Sequence, residues 1–245
     1  MLKGVIVGTD SGQEWVLPVW WHWYRLHNTL PVTFFDFFMS EKIRAFCSER
    51  GEVKRLEFPE NFVKGREAID PDLIQRWELF FSPISLWGRR PFAFLKALAA
   101  EQSPYDISLW LDLDCEVLLP LEPLFGLLKE PYDFAACISE FHRPYLDKLH
   151  VTKILKPEEL WINAGVFLFR KKCPLIFEWA LKSLQENDRY LIEEHILSEL
   201  VHAKKESCLI LDPTWNWQIA KLGKNKDAAI VHYANIRKSN PLAGQ

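Results

Sequence analysis

The sequence predicts an α/β fold built around a central, mostly parallel, Rossmann-like sheet flanked by helices. Two patterns carry that expectation. Short β-rich apolar runs alternate with segments of helical spacing through the first half of the chain, the ordering that yields parallel strands covered by helices. The clearest run, Ile107-Ser108-Leu109-Trp110-Leu111, stops at an acidic cluster, Asp112-Leu113-Asp114-Cys115-Glu116, as a buried strand does where the chain leaves the core.

Taken in order, Val5-Ile6-Val7 is a strand entering the turn-rich Gly8-Thr9-Asp10-Ser11-Gly12. Residues 15–26 place bulky side chains at helical spacing, with Asn28 near the end. Residues 32–38 (Val-Thr-Phe-Phe-Asp-Phe-Phe) form a second strand. Residues 53–58, where Val53, Leu56 and Phe58 interleave with charges, form a third. Within residues 59–82 only a helix near residues 71–80 is expected. Pro91 fits the first position of a helix over residues 92–99, where its missing N–H costs no hydrogen bond. After the acidic cluster come a short helix near residues 121–128 and strands at 134–138 and 164–169. A polar, aromatic connection with His142, Tyr145 and His150 lies between those strands. Residues 175–184 and 190–202 are helical, residues 209–211 are a strand, and Ala229-Ile230-Val231-His232 is the last. No repeat, low-complexity tract or Ser/Gly linker divides the chain, so a single domain over residues 1–245 is expected.

Composition narrows the function classes. The chain has 245 residues, 49% hydrophobic and 26% charged, which excludes a disordered protein. A net charge of -3 gives no basic field for a nucleic-acid partner. Eleven Trp, 17 Phe and six Tyr predict a thick core and stacking surfaces. The five cysteines, Cys47, Cys115, Cys137, Cys173 and Cys208, are scattered without a CxxC pair, as reduced cytoplasmic thiols are. The N-terminus enters a strand at once, with no signal-peptide pattern, and no run of about 18 apolar residues is present to span a membrane.

Asp112 and Asp114 are the most informative residues. The carboxyl end of a strand in an open α/β sheet is where ligands bind. If the chain stays extended, residues i and i+2 point to one side, and two carboxylates held there repel unless a cation or a shared proton relieves them. Carboxylate oxygens suit Mg²⁺ or Mn²⁺, which usually also hold substrate phosphates. The competing reading makes one Asp a turn cap and leaves the other in solvent. Glu116 is either a third acid on that side or a solvated loop charge.

The stretch from Ser108 through Asp112-Leu113-Asp114 to Leu118 resembles the DxD region of GT-A glycosyltransferases, particularly the family 8-like group. Other segments agree in chain order. Val5-Ile6-Val7-Gly8-Thr9-Asp10 is similar to the first strand and nucleotide-contacting loop. Arg89-Arg90-Pro91-Phe92-Ala93-Phe94-Leu95-Lys96 resembles the basic-Pro helix preceding the DxD strand. Trp161-Ile162-Asn163-Ala164-Gly165-Val166-Phe167 is similar to the strand beside the sugar site. Ile230-Val231-His232-Tyr233, with Lys238 beyond, resembles the C-terminal His that completes the metal shell. The family's Gly and Lys-Pro-Trp after that His are replaced here by Tyr233-Ala234-Asn235-Ile236-Arg237-Lys238.

The resemblance implies a metal-dependent transferase that moves a sugar, with retained anomeric configuration, from a nucleotide-diphosphate sugar (a UDP-sugar) to a glycan, lipid or protein acceptor. Residues 1–118 would bind the nucleotide, and residues 119–245 the sugar and acceptor. Asp112, Asp114 and His232 would hold Mn²⁺ or Mg²⁺. Thr9 and Asp10 would hold the nucleoside and Arg90 the diphosphate, Gly165 would join them in binding the donor, and Asn163 and Glu194 would hold the sugar as catalytic residues.

Each of these residues has a plainer reading from its own chemistry. Asn163-Ala164-Gly165 suits a sugar, because Gly admits close approach and an amide both donates and accepts; it also suits a turn opening a strand. His232 alone, after an apolar strand, fits a hydrogen-bonded structural residue. The other histidines, His22, His27, His142, His150, His195 and His202, show no ligand spacing. Glu193 and Glu194 are adjacent on a helix, so only one is expected to face the site, and Glu194 is taken as that one. Asp188 fits an N-cap for this helix. Trp215-Asn216-Trp217 forms either a stacking wall for a sugar or a core plug. Arg89 and Arg90 precede a helix start, suited to a diphosphate or to a solvated turn.

Other functions fit less well. A haloacid-dehalogenase phosphatase wants Thr or Val where Glu116 stands and a late Asp-Asp pair that is missing. A sugar-phosphate nucleotidyltransferase wants a basic residue in its N-terminal Gly-rich loop, and Gly8-Thr9-Asp10-Ser11-Gly12 has none. A catalytically inactive glycan- or nucleotide-sugar-binding relative would use the aromatics alone, which the joint presence of Asp112, Asp114, Asn163 and His232 argues against. No P-loop, Ser-His-Asp or zinc motif occurs.

Overall fold

Alternate side chains of a strand go to opposite faces of its sheet, and here both faces are apolar. In a computed structural model, which describes residues 1–233, this alternation builds two core layers. Ile6, Phe35, Trp110 and Phe167 pack on one side with Phe94, Leu98 and Trp179. Val5, Val7, Phe34, Leu109, Leu111 and Val166 pack on the other with Trp20 and Tyr24.

The strands are β1 (Lys3–Thr9), β2 (Val32–Asp36), β3 (Glu52–Arg55), β4 (Ile107–Leu111), β5 (Cys115–Val117), β6 (Phe134–Ile138), β7 (Ile162–Arg170), β8 (Cys208–Ile210), β9 (Trp217–Gln218) and β10 (Ile230–His232). The helices are α1 (Leu17–His27), α2 (Glu41–Ser48), α3 (Pro71–Trp77), α4 (Pro83–Ala93), α5 (Leu95–Glu101), α6 (Glu122–Phe125), α7 (Arg143–Val151), α8 (Pro174–Gln185), α9 (Glu193–Ala203) and α10 (Ile219–Leu222).

Among the described residues, seven strands form one sheet in the order β3-β2-β1-β4-β7-β6-β8. Only β7 runs against the rest, antiparallel to both β4 and β6. The expected mixed, mostly parallel sheet is therefore observed. A second sheet, of order β5-β10-β9, lies outside it. A third apolar cluster, with Ile74, Trp77, Leu86, Leu149 and Trp161, ties α3, α4 and α7 together.

Several elements differ from expectation. Pro91 does not begin a helix but sits inside α4. It cannot donate to the carbonyl a turn earlier, and the helix breaks soon after, at Phe94, where α5 begins. The helix expected over residues 190–202 begins only at Glu193, because residues Asn187–Arg189 form a separate 3₁₀ turn; Ile192, not Asp188, occupies the N-cap. The aromatic connection after β6 folds into α7. All five cysteines are buried, and none forms a disulfide. No helix among the described residues is long and apolar enough to cross a membrane. Lys238 and the atypical segment beyond Tyr233 lie outside the described residues.

Candidate functional site

Two strands of opposite direction bring the site together. β4 ends at Leu111 opposite Val166 of β7, and the Asp112 N–H donates to the Gly165 carbonyl at 2.8 Å. The reversal of β7 thus delivers Asn163-Ala164-Gly165 to the edge where the acidic cluster begins. β1 reaches the same edge, since it runs parallel to β4 with Ile6 opposite Trp110.

The acidic cluster does not stay extended. The Cys115 N–H donates to the Asp112 carbonyl at 3.1 Å, which closes a turn, so the two carboxylates find different partners instead of sharing one side. Lys96 Nζ lies 3.0 Å from Asp112 Oδ2 and 2.9 Å from Oδ1. Trp110 Nε1 donates to Oδ1 at 2.7 Å. Asp114 Oδ1 instead lies 3.4 Å from His232 Nε2. Asp114, Cys115 and His232 offer ligand atoms within 4.8 Å of one another, and Asp112 is outside this group.

His232 arrives on β10, whose antiparallel register sets it opposite Cys115. The Tyr233 N–H donates to the Asp114 carbonyl at 2.9 Å, which locks the end of β10 to the turn. The Tyr233 hydroxyl donates to Glu116 Oε2 at 2.7 Å; Glu116 is therefore neither a metal-side acid nor a free loop charge. The His232 imidazole is buried against Gly165, where a Cβ would stand 2.1 Å from its Cε1. Gly165 was expected to admit a ligand, and the imidazole takes that space instead.

The residues expected beside the sugar form a hydrogen-bonded chain. Glu194 Oε2 accepts from Trp161 Nε1 at 2.8 Å, and its Oε1 accepts from the Ala164 N–H at 2.9 Å and from Asn163 Nδ2 at 3.2 Å. Asn163 Oδ1 accepts from the Gly165 N–H at 3.0 Å and from Asn216 Nδ2 at 2.8 Å. Asn216 Oδ1 lies 2.8 Å from His232 Nδ1. Asn163, Glu194 and His232 are thus joined, and Asn216 is the link.

Glu193, the acid not expected to face the site, is buried. Both acids occupy the first turn of α9, where backbone N–H groups favour negative charge, and the turn packs inward, with Trp179 Nε1 donating to the Glu193 carbonyl at 2.9 Å. Burial pushes the Glu193 carboxyl up to about 7, against the pull of Lys96 3.7 Å away. Burial also opposes the charge on Lys96, but Asp112 and Glu193 outweigh it and hold the ammonium above its ordinary range. Both shifts are upward, yet they favour the charge on Lys96 and oppose it on Glu193, because the ammonium sits closer to Asp112 and compensates the burial of Glu193 only in part. Among the described residues, Glu193 Oε2 has no hydrogen-bond partner.

Other expected site residues have structural partners of their own. Arg90, expected at a diphosphate, is 1% exposed and gives its guanidinium to the carbonyls of Tyr190, Leu191 and Asn187 at 2.6–2.7 Å. Trp77, Trp87 and Phe94 surround it. It braces the entry to α9 rather than facing a ligand. Thr9 is buried, and Asp10 Oδ1 caps its own turn by accepting from the Gly12 and Gln13 N–H groups at 2.6 and 3.1 Å. Trp215 packs against the core, and Trp217 Nε1 donates to the Gly223 carbonyl at 2.7 Å.

Sequence reasoning assigned no role to Lys96, Asn216 or Cys115. Lys96 belonged to a quoted motif, yet a lysine on a helix reads as solvated. Asn216 was passed over for the rings beside it. His195 stays structural: burial drives it down to about 4, and it stacks on Trp161 at 5.9 Å.

No family model matches the sequence, and no curated protein matches it. Solved structures do resemble it. The galactosyltransferase LgtC, in a complex with donor and acceptor sugar analogs, superposes with a TM-score of 0.61 at 17% identity, covering 96% of this chain and 88% of its own. Mouse xyloside xylosyltransferase 1 gives 0.57 at 14% identity, covering 98% of this chain and all of its own. GlyE from Streptococcus pneumoniae gives 0.59 at 17% identity, over 95% of this chain and 54% of its own. The fold is the GT-A fold of these glycosyltransferases.

Proposed function

We propose that this protein transfers a sugar from a nucleotide-diphosphate sugar, a UDP-sugar, to an acceptor, with a divalent ion at the diphosphate. One observation carries the reading: Asp114 and His232 face one another at 3.4 Å, at the same edge as the linked Asn163 and Glu194. Oxygen and imidazole donors suit Mn²⁺ or Mg²⁺, and Cys115 adds a thiol to the cluster. Asp112 fits less directly, since Lys96 holds both its oxygens, although a carboxylate keeps further lone pairs to offer. What a bound Mn²⁺ or Mg²⁺ supplies is positive charge beside the departing diphosphate.

In this reading the chain's own groups divide the work. Thr9 and Asp10 sit at the carboxyl end of β1, where the nucleoside would lie. Lys96 fixes the Asp112 carboxylate and places a cation beside the acids. Glu193 Oε2 would accept from a sugar hydroxyl, relieving a buried oxygen that lacks a partner. Glu194 and Asn163 would line the reacting face of the sugar, with Glu194 contributing negative charge where positive character develops. Buried thiols without disulfides agree with a cytoplasmic site of action.

The test is a panel of nucleotide sugars scored by thermal shift and by donor hydrolysis, with and without Mn²⁺. The expected result is a Mn²⁺-dependent shift with one donor, and hydrolysis that Asp114→Asn abolishes while the fold survives. Hydrolysis persisting in excess chelator would sink the metal-dependent mechanism; no turnover by the native protein with any donor would make it an inactive binder.

A further inference from the structure

We infer that Asn216 fixes the proton of His232 on Nδ1 and thereby aims the Nε2 lone pair at Asp114. The inference deepens the proposed metal site and rests on that reading for its consequence, though the tautomer itself is a property of the metal-free chain.

The hydrogen bonds run through groups of fixed polarity. A backbone N–H can only donate, so the Asn163 atom 3.0 Å from the Gly165 N–H is its oxygen. Its amide nitrogen then faces Glu194 Oε1 at 3.2 Å, and that carboxylate already accepts from two obligate donors, the Ala164 N–H and Trp161 Nε1. The orientation of Asn163 is therefore set from both ends. Asn216 must present its NH₂ to Asn163 Oδ1, at 2.8 Å, which turns its own Oδ1 to His232 Nδ1, also at 2.8 Å. An amide oxygen accepts only, so Nδ1 carries a hydrogen. A neutral imidazole has one N–H, which leaves Nε2 as a lone pair directed at Asp114 Oδ1, 3.4 Å away. A lone pair and a carboxylate oxygen facing each other make a seat for a cation.

Burial and the Nδ1 hydrogen bond hold the ring in this arrangement. It is 3% exposed and packs so closely on Gly165 that not even a methyl group would fit between them. A flip about Cβ–Cγ would carry Nδ1 away from Asn216. Asn216 is itself 1% exposed, within the 3₁₀ turn Pro213–Asn216, so solvent does not compete for its amide. Hydrogen bonds to the distal nitrogen commonly fix the tautomer of a ligating His, and losing them costs about 10–100-fold in metal affinity. Asn216 is thus a positioning residue that acts through His232.

The experiment is long-range ¹H–¹⁵N NMR on metal-free protein labelled with ¹⁵N-histidine, at a pH where the imidazole is neutral. The His232 signals are identified by their loss in His232→Gln. The expected native pattern is the Nδ1–H tautomer; an Nε2–H pattern overturns the inference without any variant being needed. Asn216→Ala should move His232 toward Nε2–H and weaken Mn²⁺ binding, read by calorimetry, about 10–100-fold. Asn216→Asp keeps an acceptor at Nδ1 and should restore the Nδ1–H pattern. An unchanged tautomer in Asn216→Ala also overturns it. If the tautomers behave as stated but Mn²⁺ binds no form of the protein, the inference stands and the metal reading falls.

Discussion

Replacing Gly165 with alanine puts a methyl group where the His232 ring lies. The added Cβ would stand 2.1 Å from Cε1, 2.7 Å from Nδ1 and 2.8 Å from Nε2. Ordinary contact begins at 3.4 Å, so the ring must retreat by about 1.3 Å. It cannot do so freely, because Asn216 holds Nδ1 at 2.8 Å and Tyr233 ties the end of β10 to the turn at Asp114. Overpacking of this kind costs about 1–3 kcal/mol. In a chain of 245 residues each kcal/mol lowers Tm by about 2–4 °C, so a fall of about 2–12 °C is expected. The assay is thermal unfolding of Gly165→Ala, His232→Ala and the double variant. With the ring gone the methyl group has room, so the second substitution should add little, and the cycle should return a coupling energy of about 1–2 kcal/mol. If Gly165→Ala destabilises equally with and without the imidazole, the close approach of ring to backbone is not what constrains this position.

Lys96→Met removes the buried ammonium between Asp112 and Glu193 and should cost about 3–5 kcal/mol at neutral pH in urea unfolding, with part recovered in acid; a loss below about 1 kcal/mol contradicts the pairing. Glu193, pushed up to about 7 by burial, keeps in the folded state a proton that the unfolded chain releases near 4.5. Native stability should therefore fall as pH rises between those values, and Glu193→Gln should flatten that slope; parallel slopes in the two proteins would refute it. Arg90→Ala strands three buried carbonyls and should cost about 3 kcal/mol or more, yet the folded variant should bind nucleoside diphosphate as the native protein does. A selective loss of that affinity would return Arg90 to the diphosphate.

Alternation of apolar residues made the parallel half of the sheet legible, since Val5, Val7, Leu109 and Leu111 must leave the face that Ile6 and Trp110 occupy. Strand direction was not legible. The apolar run from Ile162 fits either orientation, and only the observed pairing with β4 reverses it and delivers Asn163 to Asp112. Within the candidate site, Asp114 stood out because a carboxylate at the end of an apolar strand needs a reason to be there, whereas Asn163, Glu194 and His232 were legible only through the resemblance to GT-A glycosyltransferases. Arg90 misled because paired arginines suggest solvent or phosphate, whereas three carbonyls and three aromatic rings enclose it. Asn216 was hidden because its role depends on neighbours remote in sequence and on the polarity of an amide, and neither leaves a periodic trace.

The small sheet that carries His232 has a consequence for how the site holds together over time. β10 is three residues long, paired with β5 on one side and with the two residues of β9 on the other. Short ladders of this kind open locally, at a free energy below that of the whole molecule. Opening here would detach His232 while the seven-stranded sheet stays folded. The amides of β10 should then exchange with deuterium sooner than those of β4 and β7. Anything that binds only the closed ladder would slow that exchange, so residence of a ligand at this site would be governed by the fraying of one short strand.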